Sequence, residues 1–282
     1  MRGPLLLLAA IAALSFAGPP IGAALGIDLN AVDLVDRLAG PSVAHPLGTD
    51  ELGRDILMRL LAGGRVSLTI GIAAALAAAA LGTLVGLVAG YLGGWTDRVL
   101  MRLTDAIIAL PLLPLLIVLA ALDLAKLGVP APLARSDDIS LVRIVVLAVL
   151  VGWTTAARLV RGATFVTRNR DFVRAARSLG AGVTHILWTH ILPNVLAPLI
   201  VATTLSVGDV ILLESVLSFL GLGIQPPLAS WGTMLSNAQE LITSAPLLAL
   251  YPGAMIFLTV IAANLFGDAL QRRFDRRAAV RV

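Results

Sequence analysis

Six stretches of this 282-residue chain, at approximately 4–27, 66–92, 104–125, 140–163, 191–213 and 247–268, are apolar and carry little charge. Each is long enough to cross a hydrocarbon core, which takes about 20 helical residues. Lipid offers no partner for a backbone N–H or C=O, so a span of this kind must satisfy its own hydrogen bonds as a helix. The expected fold class is therefore an all-α integral membrane protein with about six transmembrane helices. Charge content agrees: 13% of residues are charged, against roughly 25% in soluble domains. No cysteine is present, which excludes disulfides and thiolate metal sites. The first stretch contains Leu14-Ser15-Phe16-Ala17 before Gly18-Pro19-Pro20, similar to a signal-peptide cleavage site. Its apolar character continues to Ile27, so it reads as a retained helix rather than a cleaved leader.

Counting cations orients the spans. If both termini lie on one side, that side holds Arg2, Arg98, Arg102, the six Arg between 158 and 177, and the five Arg of the tail, 14 in all. The other side holds Arg37, Arg54, Arg59, Arg65, Lys126, Arg135 and Arg143, which is 7. The positive-inside rule then places both termini in the cytoplasm of a multi-pass inner-membrane protein, with 28–65, 126–139 and 214–246 facing outward. Residues 1–65 read as an N-terminal span and outer segment, and 66–282 as the core domain. The sequence pI of about 10.5 reflects Arg at the ends of apolar runs, a topology signal, and no nucleic-acid partner is expected.

Within the second span, Gly82, Gly86 and Gly90 recur every four residues. Small residues at that spacing let helices approach closely in lipid, either within this chain or against a partner subunit. Residues 214–232 are apolar yet broken by Gly221, Gly223, Pro226 and Pro227. Irregular backbone at membrane depth is tolerated where it is buried in protein or lines a watery cavity. The segment is thus a packing element or the outer wall of a pathway, and Glu214, Phe219, Gln225 and Trp231 are its candidate pathway residues. Glu214 either meets a substrate ammonium group or caps and pairs locally.

The polar stretch 166–190 is too charged to span. Asn169 or Asp171 can cap a helix start. Phe172, Ala175, Ala176 and Leu179 fall at i, i+3, i+4 and i+7, one apolar face, and Gly180 stands where a left-handed cap belongs. A second short helix from about Val183 to His190 would complete a helix–turn–helix. Such a knob, flanked by Arg168, Arg170, Arg174 and Arg177, suits docking into a groove of a soluble partner. It equally suits an amphipathic helix lying on anionic headgroups.

Arg174-Ala175-Ala176, then Gly180, then Ile191-Leu192-Pro193 resembles the "EAA" loop of ABC importer permeases, with Arg174 where that family carries an acidic residue and Asp171 the nearest carboxylate. Three further strings resemble the peptide and nickel branch of the family, in the second of its two permease subunits. They are His45-Pro46-Leu47-Gly48-Thr49-Asp50-Glu51-Leu52-Gly53-Arg54-Asp55, Gly90-Tyr91-Leu92-Gly93-Gly94-Trp95-Thr96-Asp97-Arg98, and Leu217–Pro227 with Ser230-Trp231-Gly232. Asn264-Leu265-Phe266-Gly267-Asp268 closes the match, which runs from about 45 to 275. The resemblance implies a type I ABC importer permease fold and a translocation pathway for peptides or similar small solutes. It also implies coupling to a separate ATPase through Asp171, Phe172, Arg174, Ala175, Ala176, Leu179 and Gly180. The implied partners are a second homologous permease, two ATP-binding subunits holding ATP and Mg, an external solute-binding protein, and membrane lipid.

ATP hydrolysis by this chain would need a Gly-rich phosphate loop with Lys and Ser/Thr. Its one Lys, Lys126, sits in Leu-Ala-Lys-Leu-Gly, so no catalytic residue or cofactor is expected here. His185 and His190 are five apart, off the i, i+4 spacing of a two-His site on one helix face, and no metal site is expected. The alternative is a self-sufficient secondary carrier. It would need a titrating relay inside the membrane and an inverted repeat, and neither is evident.

Overall fold

A computed structural model describes residues 2–279 apart from 124, 127, 129, 131 and 133–135, with the side chains of 275–279 excluded. Arg135 and Arg281, and the side chains of Arg276 and Arg277, all used in the topology count, thus lie outside the described residues, as does much of the expected outer loop 126–139. Helices α1 (Arg2–Ala24), α2 (Ile56–Leu92), α3 (Gly94–Ala109), α4 (Leu112–Ala120), α5 (Asp137–Thr167), α6 (Asp171–Ser178), α7 (Val183–Phe219), α8 (Trp231–Ala238) and α9 (Leu247–Ala279) follow in chain order. Of these, α1, α2, α5, α7 and α9 are each long and apolar enough to cross a membrane.

The third expected span, 104–125, is not one helix. It is the bent pair α3–α4, turned by 85° at Leu110–Pro111. Pro111 has no N–H and disfavours helical backbone at the residue before it, and Leu110 is extended, at φ −73° and ψ 138°. Helix α4 has nine residues, about 14 Å of rise, too short to cross alone. The six-span picture holds only if α3 and α4 together count as one.

The central helix is α2, and it starts ten residues before the charge-free run. Asp55 caps it, its side chain accepting from the Met58 N–H at 2.8 Å. The helix therefore passes through residue 65, and the division expected there falls inside it. What hid this start is Arg59, which sits buried with Nε 3.4 Å from Asp50. Asp50 also accepts from the Leu52 and Arg54 N–H groups and from Arg54 Nε, at 2.9, 3.0 and 2.7 Å. Gly53 has φ +75°, and a side chain there would collide with the Asp33 carbonyl. The 45–55 string is thus a knot that ties off the start of α2, and His45 Nδ1 closes it on Asp55 at 2.9 Å.

The glycine ladder of α2 meets α5. A methyl on Gly82 would lie 2.5 Å from the Trp153 oxygen, on Gly86 2.6 Å from that of Ala157, and on Gly90 2.8 Å from that of Arg161. The ladder is an intrachain seam, so that face is not free for a partner subunit. At one end of the bundle Ile11, Ile56, Leu60, Ile211, Trp231 and Ile256 form a core joining α1, α2, α7, α8 and α9. At the other, Val160, Val173, Ile186, Ile191 and Val195 join α5, α6 and α7. Helix α1 contributes Ile11 and Ser15 to the interior and packs on α2 and α9.

Candidate functional site

Helix α6 stands at the end of the bundle where α2 and α5 finish. Arg170 occupies its N-cap without a side-chain bond. The expected caps do other work: Asn169 Nδ2 donates to the Phe165 carbonyl at 3.2 Å, and Asp171 pairs with Arg174 on the exposed side. At the other end Gly180 takes the expected left-handed position, φ +83°. Its N–H bonds the Arg177 carbonyl, and the Ala181 N–H bonds that of Ala176, which satisfies carbonyls the last turn leaves free.

The expected apolar face Phe172-Ala175-Ala176-Leu179 is not the one that packs. Val173 is fully buried, Ala176 is half-buried, and Ala175 is exposed. Phe172 is 44% and Leu179 88% exposed. The helix is held by Val173, Ala176 and Arg177, at i, i+3 and i+4. Arg177 Nη2 donates to the Tyr91 hydroxyl at 3.2 Å and lies over its ring. The sequence carries this second spacing as clearly as the first; a helix this short offers no local sign of which side meets the bundle. The consequence is that Phe172 and Leu179 present apolar surface that nothing among the described residues covers, as do Val183 and Trp188 just beyond.

The expected second short helix is instead the first part of α7, entered through a π turn at Ile186–Ile191. A π turn bonds i to i+5, so residues five apart share a face. His185 and His190 accordingly meet edge-on, ring centroids 5.6 Å apart, contrary to the separation expected from their spacing. Among the described residues no group of three His, Cys, Asp or Glu is arranged to hold a metal.

At the opposite end, the broken segment after α7 is organised by Glu214. The Ser67 hydroxyl donates to its Oε2 at 3.0 Å and the Ser218 hydroxyl to its Oε1 at 2.7 Å. Each serine in turn accepts a backbone N–H: Trp231 on Ser67 at 3.2 Å, Ile224 on Ser218 at 3.1 Å. The carboxyl group is thus the common end of two relays that fix the segment where it leaves α7 and where it enters α8. Ser230 and Thr233 add a capping box to α8, and Trp231 Nε1 donates to the Leu60 carbonyl at 3.0 Å. Of the four pathway candidates, Glu214 and Trp231 are fully buried within the chain, which leaves them no surface to offer a solute. Phe219 and Gln225 do reach the surface; Gln225 Nε2 bonds the Gly221 carbonyl at 3.0 Å. Glu214→Ala is expected to cost about 3 kcal/mol, from the cavity and two orphaned hydroxyls, and Glu214→Gln, which keeps one acceptor, about 1 kcal/mol. Thermal unfolding of the detergent-solubilised protein measures both; equal losses would show that the relays do not share the carboxyl group.

The described residues thus form a bundle of helices long and apolar enough to cross a membrane, with a short helix offered at one end and a packed, broken segment at the other. The chain belongs to the family described as binding-protein-dependent transport system inner membrane component, whose pattern matches residues 82–280. It is 41% identical over 241 residues to a glutathione transport system permease protein of Pectobacterium atrosepticum, covering 85% of this chain and 75% of that one. A dipeptide transport system permease protein of Alkalihalophilus pseudofirmus is 40% identical over 240 residues, covering 85% and 74%. An oligopeptide transport system permease protein of Bacillus subtilis is 36% identical over 248 residues, covering 88% and 77%. In fold, the crystal structure of an amino acid ABC transporter with histidines superposes with a TM-score of 0.56 at 16% identity, over 76% of this chain and 94% of that one. Family membership sets aside the self-sufficient secondary carrier and makes the chain an ABC importer permease, of a kind that works with ATPase and binding-protein partners.

Proposed function

We propose that this chain is one of two homologous permeases lining a pathway for peptides or similar small solutes, and that ATP drives it through α6. Two ATP-binding subunits, carrying ATP and Mg, would sit against the α6 end, which the Arg distribution assigns to the cytoplasm along with both termini. A solute-binding protein would deliver at the α8 end. Phe219 and Gln225 remain the pathway candidates on this side of the pore. The peptide class rests on the relatives' substrates.

The observation that carries the coupling role is the split of α6 into an anchored side and an uncovered apolar side. A headgroup-bound helix would turn its apolar side to lipid and its cations to phosphates. Here Arg177 is spent on Tyr91, and Arg174, though largely exposed, pairs with Asp171, so both arginines of α6 already have partners in the chain. A groove in a soluble subunit fits Phe172 and Leu179 better. Deleting 171–180 is expected to abolish ATP-dependent uptake in vesicles reconstituted with the ATPase subunits. Intact uptake after the deletion would refute coupling through this helix.

A further inference from the structure

Helix α6 is joined by chain to α5 and α7 only, yet its side chains reach a third element. The α2–α3 elbow is two glycines, Gly93 at φ +67° and Gly94 at φ +57°, a joint with little stiffness of its own. Three contacts from outside hold it. Arg168, at the end of α5, donates Nη1 to the Gly90 and Tyr91 carbonyls at 2.8 and 3.0 Å, which the last turn of α2 leaves free. Arg161 grips Asp97 of α3 with two parallel bonds, Nη2 to Oδ2 at 2.6 Å and Nε to Oδ1, the geometry that fixes direction as well as distance. Arg177 of α6 holds Tyr91 itself.

Beyond the elbow, α3 leads into α4. There Leu116 and Ala120 pack with Leu147 of α5 and Leu217 of α7, alongside Leu222 of the broken segment. A displacement of α6 therefore has a route to the far end of the bundle that bypasses the long axis of α7. We propose that Tyr91, Asp97 and Arg161 are positioning residues that tie α6, through the end of α2 and through α5, to α3 as one rigid body. Movement of α6 is then delivered through the bent α3–α4 pair to the segment at 220–224. This rests on α6 being the element that the ATPase moves.

The chain has no cysteine, so introduced pairs are its only spin-labelling sites, and they are specific within the complex once the partner subunits are made cysteine-free. The complex is purified from its native membrane through a tag on this chain. The first pair is Ser178→Cys on α6 with Arg102→Cys on α3. The second is Ser178→Cys with Phe257→Cys on α9. Distances are read by pulsed EPR without nucleotide and after trapping with ATP and vanadate. The expected result is that the second distance shifts while the first keeps one unshifted population. In Arg161→Ala the first distance should gain a nucleotide-dependent second population. The charge swap Asp97→Arg with Arg161→Asp should restore the single one, a rescue that loss of packing alone would not give. If neither distance shifts in the unmutated complex, α6 does not move and the coupling reading fails. If both shift alike, coupling stands and the rigid link between α6 and α3 is wrong. That second outcome needs no mutant to fold.

Discussion

A Phe172→Asp, Leu179→Asp double variant is expected to assemble as a folded membrane protein and to lose its ATPase. Leu179 carries no core packing at 88% exposed; Phe172, 44% exposed, meets the His190 ring with centroids 6.3 Å apart, while Val173 anchors the helix. The cost in fold stability should stay within about 0.5 kcal/mol at Leu179, as for surface changes generally, and about 1 kcal/mol at the half-covered Phe172. At an interface the same positions are candidate hot spots, where truncating an apolar anchor costs about 2 kcal/mol or more. A carboxylate buried without a partner adds to that. Two sites then remove about 4 kcal/mol, roughly a thousandfold in affinity. Co-purification of the ATPase subunits with the tagged permease measures the loss, and a retained melting transition separates it from misfolding. Normal ATPase recovery would mean that the uncovered face of α6 is not what the partner grips.

Gly86→Leu is expected to act in the opposite way, destroying the fold before any partner is met. Its Cβ would lie 2.6 Å from the Ala157 oxygen, 2.7 Å from Val160 Cβ and 2.9 Å from the Arg161 nitrogen. Two of these are backbone atoms, which no rotamer change can move, so α2 and α5 must separate. Overpacking of this kind costs about 3 kcal/mol at the upper end of its usual range, a large part of the 5–15 kcal/mol that typically holds a domain together. Separation would also pull Arg161 from Asp97. Gly162, with nothing within 4 Å of a built Cβ, is the control: Gly162→Ala on the facing helix α5 should leave folded yield unchanged or raised. Size-exclusion profiles of the two variants in detergent test this, and a monodisperse Gly86→Leu protein would contradict the close seam.

What the sequence disclosed and what it withheld follow the range of the forces involved. Hydropathy located every long helix because lipid solvation acts on each residue alone. The start of α2 was missed because Arg59 and Arg65 read as loop cations; only the knot at Asp50 shows why one of them is buried. The third span carried its own warning in Pro111, outweighed by the apolar run around it. Gly180 was legible because a left-handed cap is a one-residue requirement. Val173 was not, since facing is decided by where α5 and α7 stand. The meeting of His185 and His190 depends on a π turn, which leaves no periodic trace in six residues. Glu214 stands out in the sequence as a carboxyl group near the end of a span, but whether it faces a solute or its own chain depends on Ser67, 147 positions away.

The division of α6 into an anchored and an uncovered side has an evolutionary reading. Residues that touch only the partner are free to drift with it, because the permease folds without consulting them. Val173, Ala176 and Arg177 answer to the bundle; on the proposed coupling, Phe172, Ala175 and Leu179 would answer to another gene. If the proposed coupling holds, related importers sharing one cell would keep their ATPases apart by changing three side chains. A designer wishing to rewire one permease to a foreign motor would have the same three to change.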